Sequence, residues 1–385
     1  MAIDSYKKVH SLALVILPIL SQYEYINIPL GFILFLLVSV PFIFSRFSEL
    51  NVDNTWIVYV FLFVITKVFY SNLEGITDLI PVRLLIFTLI LMIAQTTFNL
   101  ELVMAQMSGV VALCIIIYFV QELQYLFTNS RMIPLVPFLK PNMVGEDYSS
   151  MIQRLSEHDR SSSLFLEPSY FAEYLVFALI VLQHNYKKYK RYIYVIVLCL
   201  IFLRSGLGLV MLTFLTFLTV RRLNTKRALS VIIVAVCCLP LVNFVVGDFG
   251  LGRSQELLDT SVYSSGFVRM LRGYLLLNWY TWYEWLLGFN SPYLLQERIL
   301  GSELAGLYGN DDMSFNGFQS TLLYSGIVGV MLVYYPLIRQ IRKSANSVFT
   351  VSAFIITSLM AATFLSPIML LYFVLMKHKP IGKSR

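Results

Sequence analysis

Long apolar runs, each closed by a short polar or basic segment, recur from one end of this chain to the other. Runs at 10–23, 28–45, 55–70, 79–97, 101–127, 168–185, 228–246 and 316–338 read as membrane-crossing helices, for which about 20 apolar residues suffice. Two shorter runs, 192–203 and 207–220, share the turn Arg204-Ser-Gly-Leu-Gly208 and predict a compressed pair with its turn below the membrane surface. The last run, 347–376, is broken at Ser366-Pro367, which predicts a tight hairpin. The expected fold class is therefore all-α: a polytopic membrane protein with about 12 transmembrane helices, counted from runs of spanning length. Residues 1–385 read as one integral membrane domain with two large outer loops, 128–167 and 247–315. A transmembrane β-barrel would instead show short segments of strict alternation. Met1 to His10 is short and polar and is followed by no small-residue cleavage site, so no cleavable signal is expected.

Composition agrees with the pattern: 58% of residues are hydrophobic and 13% charged, about half the charged fraction of soluble domains. A net charge of +7 would suggest nucleic acid in a soluble chain. Here its distribution sets topology instead, because cytoplasmic loops collect Lys and Arg. The N-terminus, 45–54, 187–191, 221–227, 339–343 and the C-terminus hold 18 of the 29 basic residues. That distribution predicts both termini in the cytoplasm and both large loops outside, as in a multi-pass membrane protein. No nucleic-acid partner is expected. Cys114, Cys199, Cys237 and Cys238 lie inside apolar runs and read as small buried hydrophobes. With no Walker sequence and no metal-ligand spacing, neither cofactor nor metal is expected.

The remaining 11 basic residues lie in outer loops or near outer helix ends: Lys67, Arg83, Arg131, Lys140, Arg154, Arg160, Arg204, Arg253, Arg269, Arg272 and Arg298. Lys67 and Arg131 fit snorkelling or pairing with a carboxylate. Arg160, Arg204, Arg269 and Arg272 together suit a phosphate or pyrophosphate, which a guanidinium grips with two parallel bonds. The stretch Arg160-Ser-Ser-Ser-Leu-Phe-Leu-Glu-Pro-Ser-Tyr-Phe-Ala-Glu173 runs from a polar loop into an apolar helix, with Pro168 suited to the first turn. It places Arg160, Glu167, Tyr170 and Glu173 where water meets hydrocarbon. Glu167 and Glu173 are six apart and do not share a helix face. Glu167 fits both a favourable charge at a helix N-terminus and a carboxylate facing a cavity. His158 fits a solvated loop residue or a general base. Trp279 to Trp285 packs five aromatics into seven residues, an anchoring belt or a sugar-stacking surface. Asp311 and Asp312 stand just before the run at 316–338 and are alternative bases.

These residues resemble a known family. Arg160 to Ala172 resembles the segment before a mid-chain helix in Wzy-type bacterial polysaccharide polymerases, the O-antigen and capsule polymerases related to the O-antigen ligases. Arg204-Ser-Gly is similar to that group's short turn. Leu286-Leu-Gly-Phe-Asn290 and Phe315-Asn-Gly-Phe-Gln-Ser-Thr-Leu-Leu-Tyr-Ser-Gly-Ile-Val-Gly329 resemble its second loop and the Asn-containing helix start after it. The resemblance covers about residues 128–376 and implies a GT-C-like helical architecture. It implies a glycosyltransferase that moves an undecaprenyl-pyrophosphate-linked glycan en bloc onto a second lipid-linked repeat unit. Partners would be the donor and acceptor, membrane lipids and a chain-length regulator protein. Carried onto this chain, the implied catalytic residues are Glu167 or Asp312 as base with Arg160 and Arg272. The implied substrate and pyrophosphate ligands are Arg204, Arg269, Lys67, Arg83, Tyr170, Glu173 and Asn316. The ligases carry a His in the second outer loop; this chain has none between 185 and 377, which favours the polymerase. A flippase for the lipid-linked unit is the competing reading, and would need ionisable groups at mid-membrane.

Overall fold

A computed structural model of the chain describes residues 2–25, 28–50, 53–74, 80–130, 132, 136, 139–141, 161–203, 205–220, 272–300, 315–340, 345–360 and 365–377. The expected crossing at 228–246 lies outside the described residues. In order, the helices are α1 (Ala2–Leu20), α2 (Leu30–Arg46), α3 (Asn54–Glu74), α4 (Ile80–Thr97), α5 (Leu100–Thr128), α6 (Pro168–Gln183), α7 (Tyr186–Phe202) and α8 (Gly206–Val220). They continue as α9 (Arg272–Leu275), α10 (Trp282–Leu287), α11 (Pro292–Leu300), α12 (Gly317–Gln340), α13 (Ala345–Met360) and α14 (Pro367–Lys377). Leu30–Glu49, Ile80–Thr97, Leu100–Thr128 and Gly317–Arg339 are long and apolar enough to cross a membrane. Asn54–Phe69, Pro168–Gln183, Gly206–Thr216, Val348–Met360 and Pro367–Met376 are shorter apolar helices. The chain is thus helical and of membrane-embedded character.

Three local differences from the sequence reading have physical reasons. α1 begins at Ala2, because nothing in the polar first turns breaks a helix. The link after α1 is not a plain loop but an antiparallel hairpin, β1 (Tyr23–Tyr25) and β2 (Ile28–Pro29). β3 (Lys140–Pro141) pairs with the other side of β1, giving the order β2-β1-β3. Tyr and Ile fit such a pleated, half-buried surface. Finally, α7 takes in the basic stretch 187–191, its first turn capped by the Asn185 side chain, which accepts a bond from the Lys188 N–H.

The chain divides into two compact units. The first comprises Met1–Val110, Val136–Met151 and Arg269–Arg385. At its heart lies α14, buried continuously from Ile368 to Met376. Trp56, Phe87 and Phe354 pack their rings on Phe373 at 5.2, 6.3 and 5.3 Å. The expected break before Pro367 is present: Leu365 sits at φ 62°, Ser366 caps Met369 N–H, and Phe354 of α13 meets Tyr372 of α14 at 5.9 Å, while residues 361–364 lie outside the described residues.

The second unit comprises Val111–Leu135 and Ile152–Val268. Its centre is α6, buried at 13 of its 16 residues. A helix apolar on all sides has no face to offer water, so α7, α8 and the later part of α5 surround it. Tyr118 of α5 donates to the Phe202 carbonyl at 2.8 Å, satisfying a group that the end of α7 leaves open.

Candidate functional site

In the second unit the serine run is a buried turn welded to α5. Gln121 (1% exposed) pairs with both backbone groups of Ser163. Its Nε2 donates to Ser163 O at 2.9 Å, and its Oε1 accepts from Ser163 N–H at 2.8 Å. Nε2 also reaches Met132 O at 3.3 Å. Ser163 Oγ donates to Cys114 O at 2.6 Å, Ser162 Oγ donates to Phe165 O, and Ser161 N–H reaches Glu122 at 3.2 Å. Ser163 sits at φ 60°, a left-handed conformation that these bonds hold in place. Glu167 then stands at the N-cap position of α6, half-buried, with Pro168 in the first turn as expected. Its carboxylate accepts from Ser169 Oγ at 3.0 Å. Tyr170 follows half-buried, and Glu173 is 6% exposed.

In the first unit a buried polar cluster surrounds the start of α12. Asn316 and Gln319 bond reciprocally: Gln319 N–H to Asn316 Oδ1 at 2.8 Å, and Asn316 N–H to Gln319 Oε1 at 3.4 Å. This is the capping-box arrangement, which satisfies two orphan donors at once. Asn316 Nδ2 donates to Leu359 O at 2.7 Å, tying the start of α12 to α13. Against Gln319 lies the backbone of Gly273, where a Cβ would come within 2.7 Å of the Gln319 side chain. The preceding residue is Arg272, whose side chain is 2% exposed and among the largest fully enclosed in the protein. The short helix that Arg272 begins packs against α12.

About two turns past Gln319, α12 is broken. Gly326 has φ 62° and ψ −168°, and Gly288 has φ 82° and ψ 173°. That backbone region belongs essentially to glycine. A Cβ at Gly288 would strike the backbone of Tyr324 and Ser325, and one at Gly326 would strike Leu286 and Gly288. The Leu286–Asn290 segment therefore lies directly in the break. Phe289 N–H donates to Leu323 O at 2.7 Å and Tyr280 Oη to the same carbonyl at 3.1 Å. Asn290, wholly buried, donates to Phe63 O at 2.9 Å and Thr66 Oγ1 at 3.3 Å on α3. Lys67, the next residue, is 7% exposed. Nearby, Glu284 is clasped by Arg298 at 2.9 and 3.2 Å, and Arg298 lies 4.3 Å over the Phe289 ring.

Of the expected site residues, Asn316 caps α12 with Gln319, and Arg272 is enclosed on the short helix whose next residue, Gly273, lies against Gln319. Arg83 stands apart from them, facing Glu24 at 3.7 Å, and Glu24 also holds Lys140 at 2.6 Å. Lys67 adjoins Asn290's anchorage on α3. Glu167, Tyr170 and Glu173 belong to the second unit. Arg160, Arg204, Arg269 and Asp312 lie outside the described residues. Sequence reasoning missed Gln121 and the Glu284–Arg298 pair. Gln121 had a signal: a lone amide ending the apolar run 110–120. Among the described residues no three His, Cys, Asp or Glu gather as a metal would require.

No family model matches the chain, and no curated protein matches it significantly.

Proposed function

We propose that the chain is a Wzy-type polysaccharide polymerase of the bacterial cytoplasmic membrane, with twelve crossings and two outer loops. In this reading it transfers an undecaprenyl-pyrophosphate-linked glycan en bloc to a second lipid-linked repeat unit. The observation that carries the reading is Arg272, an arginine 2% exposed in a membrane-embedded helical protein, on a short helix that packs against α12. An arginine at such a place is costly unless it serves a function. The leaving group is a lipid diphosphate. Arg272 and the N-terminal end of α12 would stabilise its charge as the glycosidic bond breaks. The resemblance implies a carboxylate, Glu167 or Asp312, as the group that takes the acceptor hydroxyl proton. The resemblance carried by Arg160–Ala172, Leu286–Asn290 and Phe315–Gly329 supplies the substrate class.

The test is elongation of lipid-linked repeat units by the purified protein in vesicles. Wild type yields a ladder of longer glycans. Arg272→Ala lowers the rate by about 100-fold, the usual effect of removing one charge-stabilising donor. Arg272→Lys, which keeps the charge, retains more activity, and monodisperse elution checks that each variant folds. Full elongation by Arg272→Ala would defeat the proposal.

A lipid-linked oligosaccharide flippase is the second reading. It is favoured by the break at Gly326 inside a helix of spanning length, since interrupted helices build transport sites. Translocation without elongation in the same vesicles would decide for it.

A further inference from the structure

The second polar loop, read from sequence as a soluble outer piece, contains a segment that the structure anchors deep along two apolar helices. Gly288 lies against α12 at Gly326, nine residues after the helix start at Gly317. At 1.5 Å per residue that is about 14 Å along the helix axis. Asn290 grips α3 at Phe63, six residues inside Phe69, the end of its apolar stretch. That second, independent measure gives about 9 Å. The hydrocarbon layer is about 30 Å thick, so both anchors fall within it.

The chemistry of the segment fits that depth. From Gly273 to Gln296 the only charged residue is Glu284. It is 2% exposed and neutralised by Arg298. Irregular backbone inside a bilayer must find its hydrogen bonds in the protein. Here Thr281 N–H donates to Glu284 at 2.7 Å, Gly288 N–H to Glu284 O at 2.8 Å, and Phe289 N–H to Leu323 O at 2.7 Å. Most of what faces outward is apolar: Trp279, Trp282, Tyr283, Trp285, Leu286 and Leu287 are exposed, Trp282 to 75%, beside exposed Asn278 and Thr281. This face continues onto the neighbouring helices through exposed Ile327 and Met331 of α12 and Ile65 and Phe69 of α3. In water it would be an aggregation-prone patch.

We infer that residues 279–291 form a re-entrant element that dips into the bilayer beside α3 and α12, its aromatic and leucine face packed against phospholipid acyl chains. The break in α12 is what admits it, and Asn290 pins its tip to α3. The element thereby fixes Arg298 and the approach to α11 from inside the membrane. This holds whether the protein polymerises or transports glycans.

Tryptophan fluorescence tests it without any substitution. The chain has four tryptophans. Three are exposed on this segment, and the fourth, Trp56, is 6% exposed behind Tyr59 and Phe373. The full chain is reconstituted in vesicles of phosphatidylcholine, with and without bromine atoms midway along the acyl chains, and separately titrated with iodide. Bromolipid should remove the greater part of the emission while iodide leaves it nearly unchanged. Strong iodide quenching with weak bromolipid quenching would place the segment in water and overturn the inference. A variant with Trp282 alone, the others replaced by Phe, assigns the signal to the segment. In it, quenching by iodide and not by bromolipid overturns the inference equally. Neither readout uses activity, so its failure is separate from any failure of the polymerase reading.

Discussion

The turn at Ser161–Ser163 and the insertion at Leu286–Asn290 pose the same problem. Each presses irregular backbone into an apolar helical surround, where an unmatched N–H or C=O is expensive. The serine turn solves it with a side chain. One amide, Gln121, stands in for a neighbouring strand and matches donor and acceptor of Ser163 together. The insertion solves it with missing side chains. Gly288 and Gly326 remove two Cβ atoms, so backbone meets backbone and Leu323's freed carbonyl is used twice. The first arrangement is lost when a polar group is taken away, the second when a methyl group is added.

That contrast yields graded outcomes. The largest effect belongs to Gly326→Ala. It combines a glycine-only conformation with a backbone collision, and should cost at least about 4 kcal/mol of stability. Thermal unfolding in detergent should record a large drop, and a wild-type transition would mean that the segment does not enter the helix. Next comes Gln121→Leu. It keeps the size of the side chain but strands two buried backbone groups, at about 3 kcal/mol. If Gln121→Leu proved as stable as wild type, the serine turn would owe nothing to the amide. Smallest is Arg298→Ala, about 2 kcal/mol, because the pair it breaks is partly open on the arginine side. Most of that loss reflects the stranded Glu284 carboxylate, so adding Glu284→Gln should recover part of it. An unimproved double variant would make packing over Phe289, not charge, the role of Arg298.

Much of the frame was legible from residue order. The runs at 28–45, 79–97, 101–127 and 316–338 correspond to α2, α4, α5 and α12 within a few residues. Pro168 at the head of α6 and the break at Ser366-Pro367 also stand where local backbone chemistry puts them. The candidate site was legible only in part. Asn316 was singled out, but its partner Gln319 read as one more residue of an apolar helix. Arg83 looked like an outer cation, and its partner Glu24 is distant in sequence. The apolar stretch from 273 to 296 carried a warning in its single charge, yet its scattered turns concealed helices too short for periodicity to reveal.

What the sequence determined by itself is the solvent: hydrophobic runs of spanning length and basic residues gathered between them make a helical membrane chain, because burial of apolar surface and backbone self-satisfaction act locally along the chain. Only the tertiary structure decided where polar groups are hidden. Gln121 closes a turn 42 residues away, and Asn290 grips a carbonyl 227 residues away. Such pairings depend on which helices become neighbours, and no local pattern carries that information.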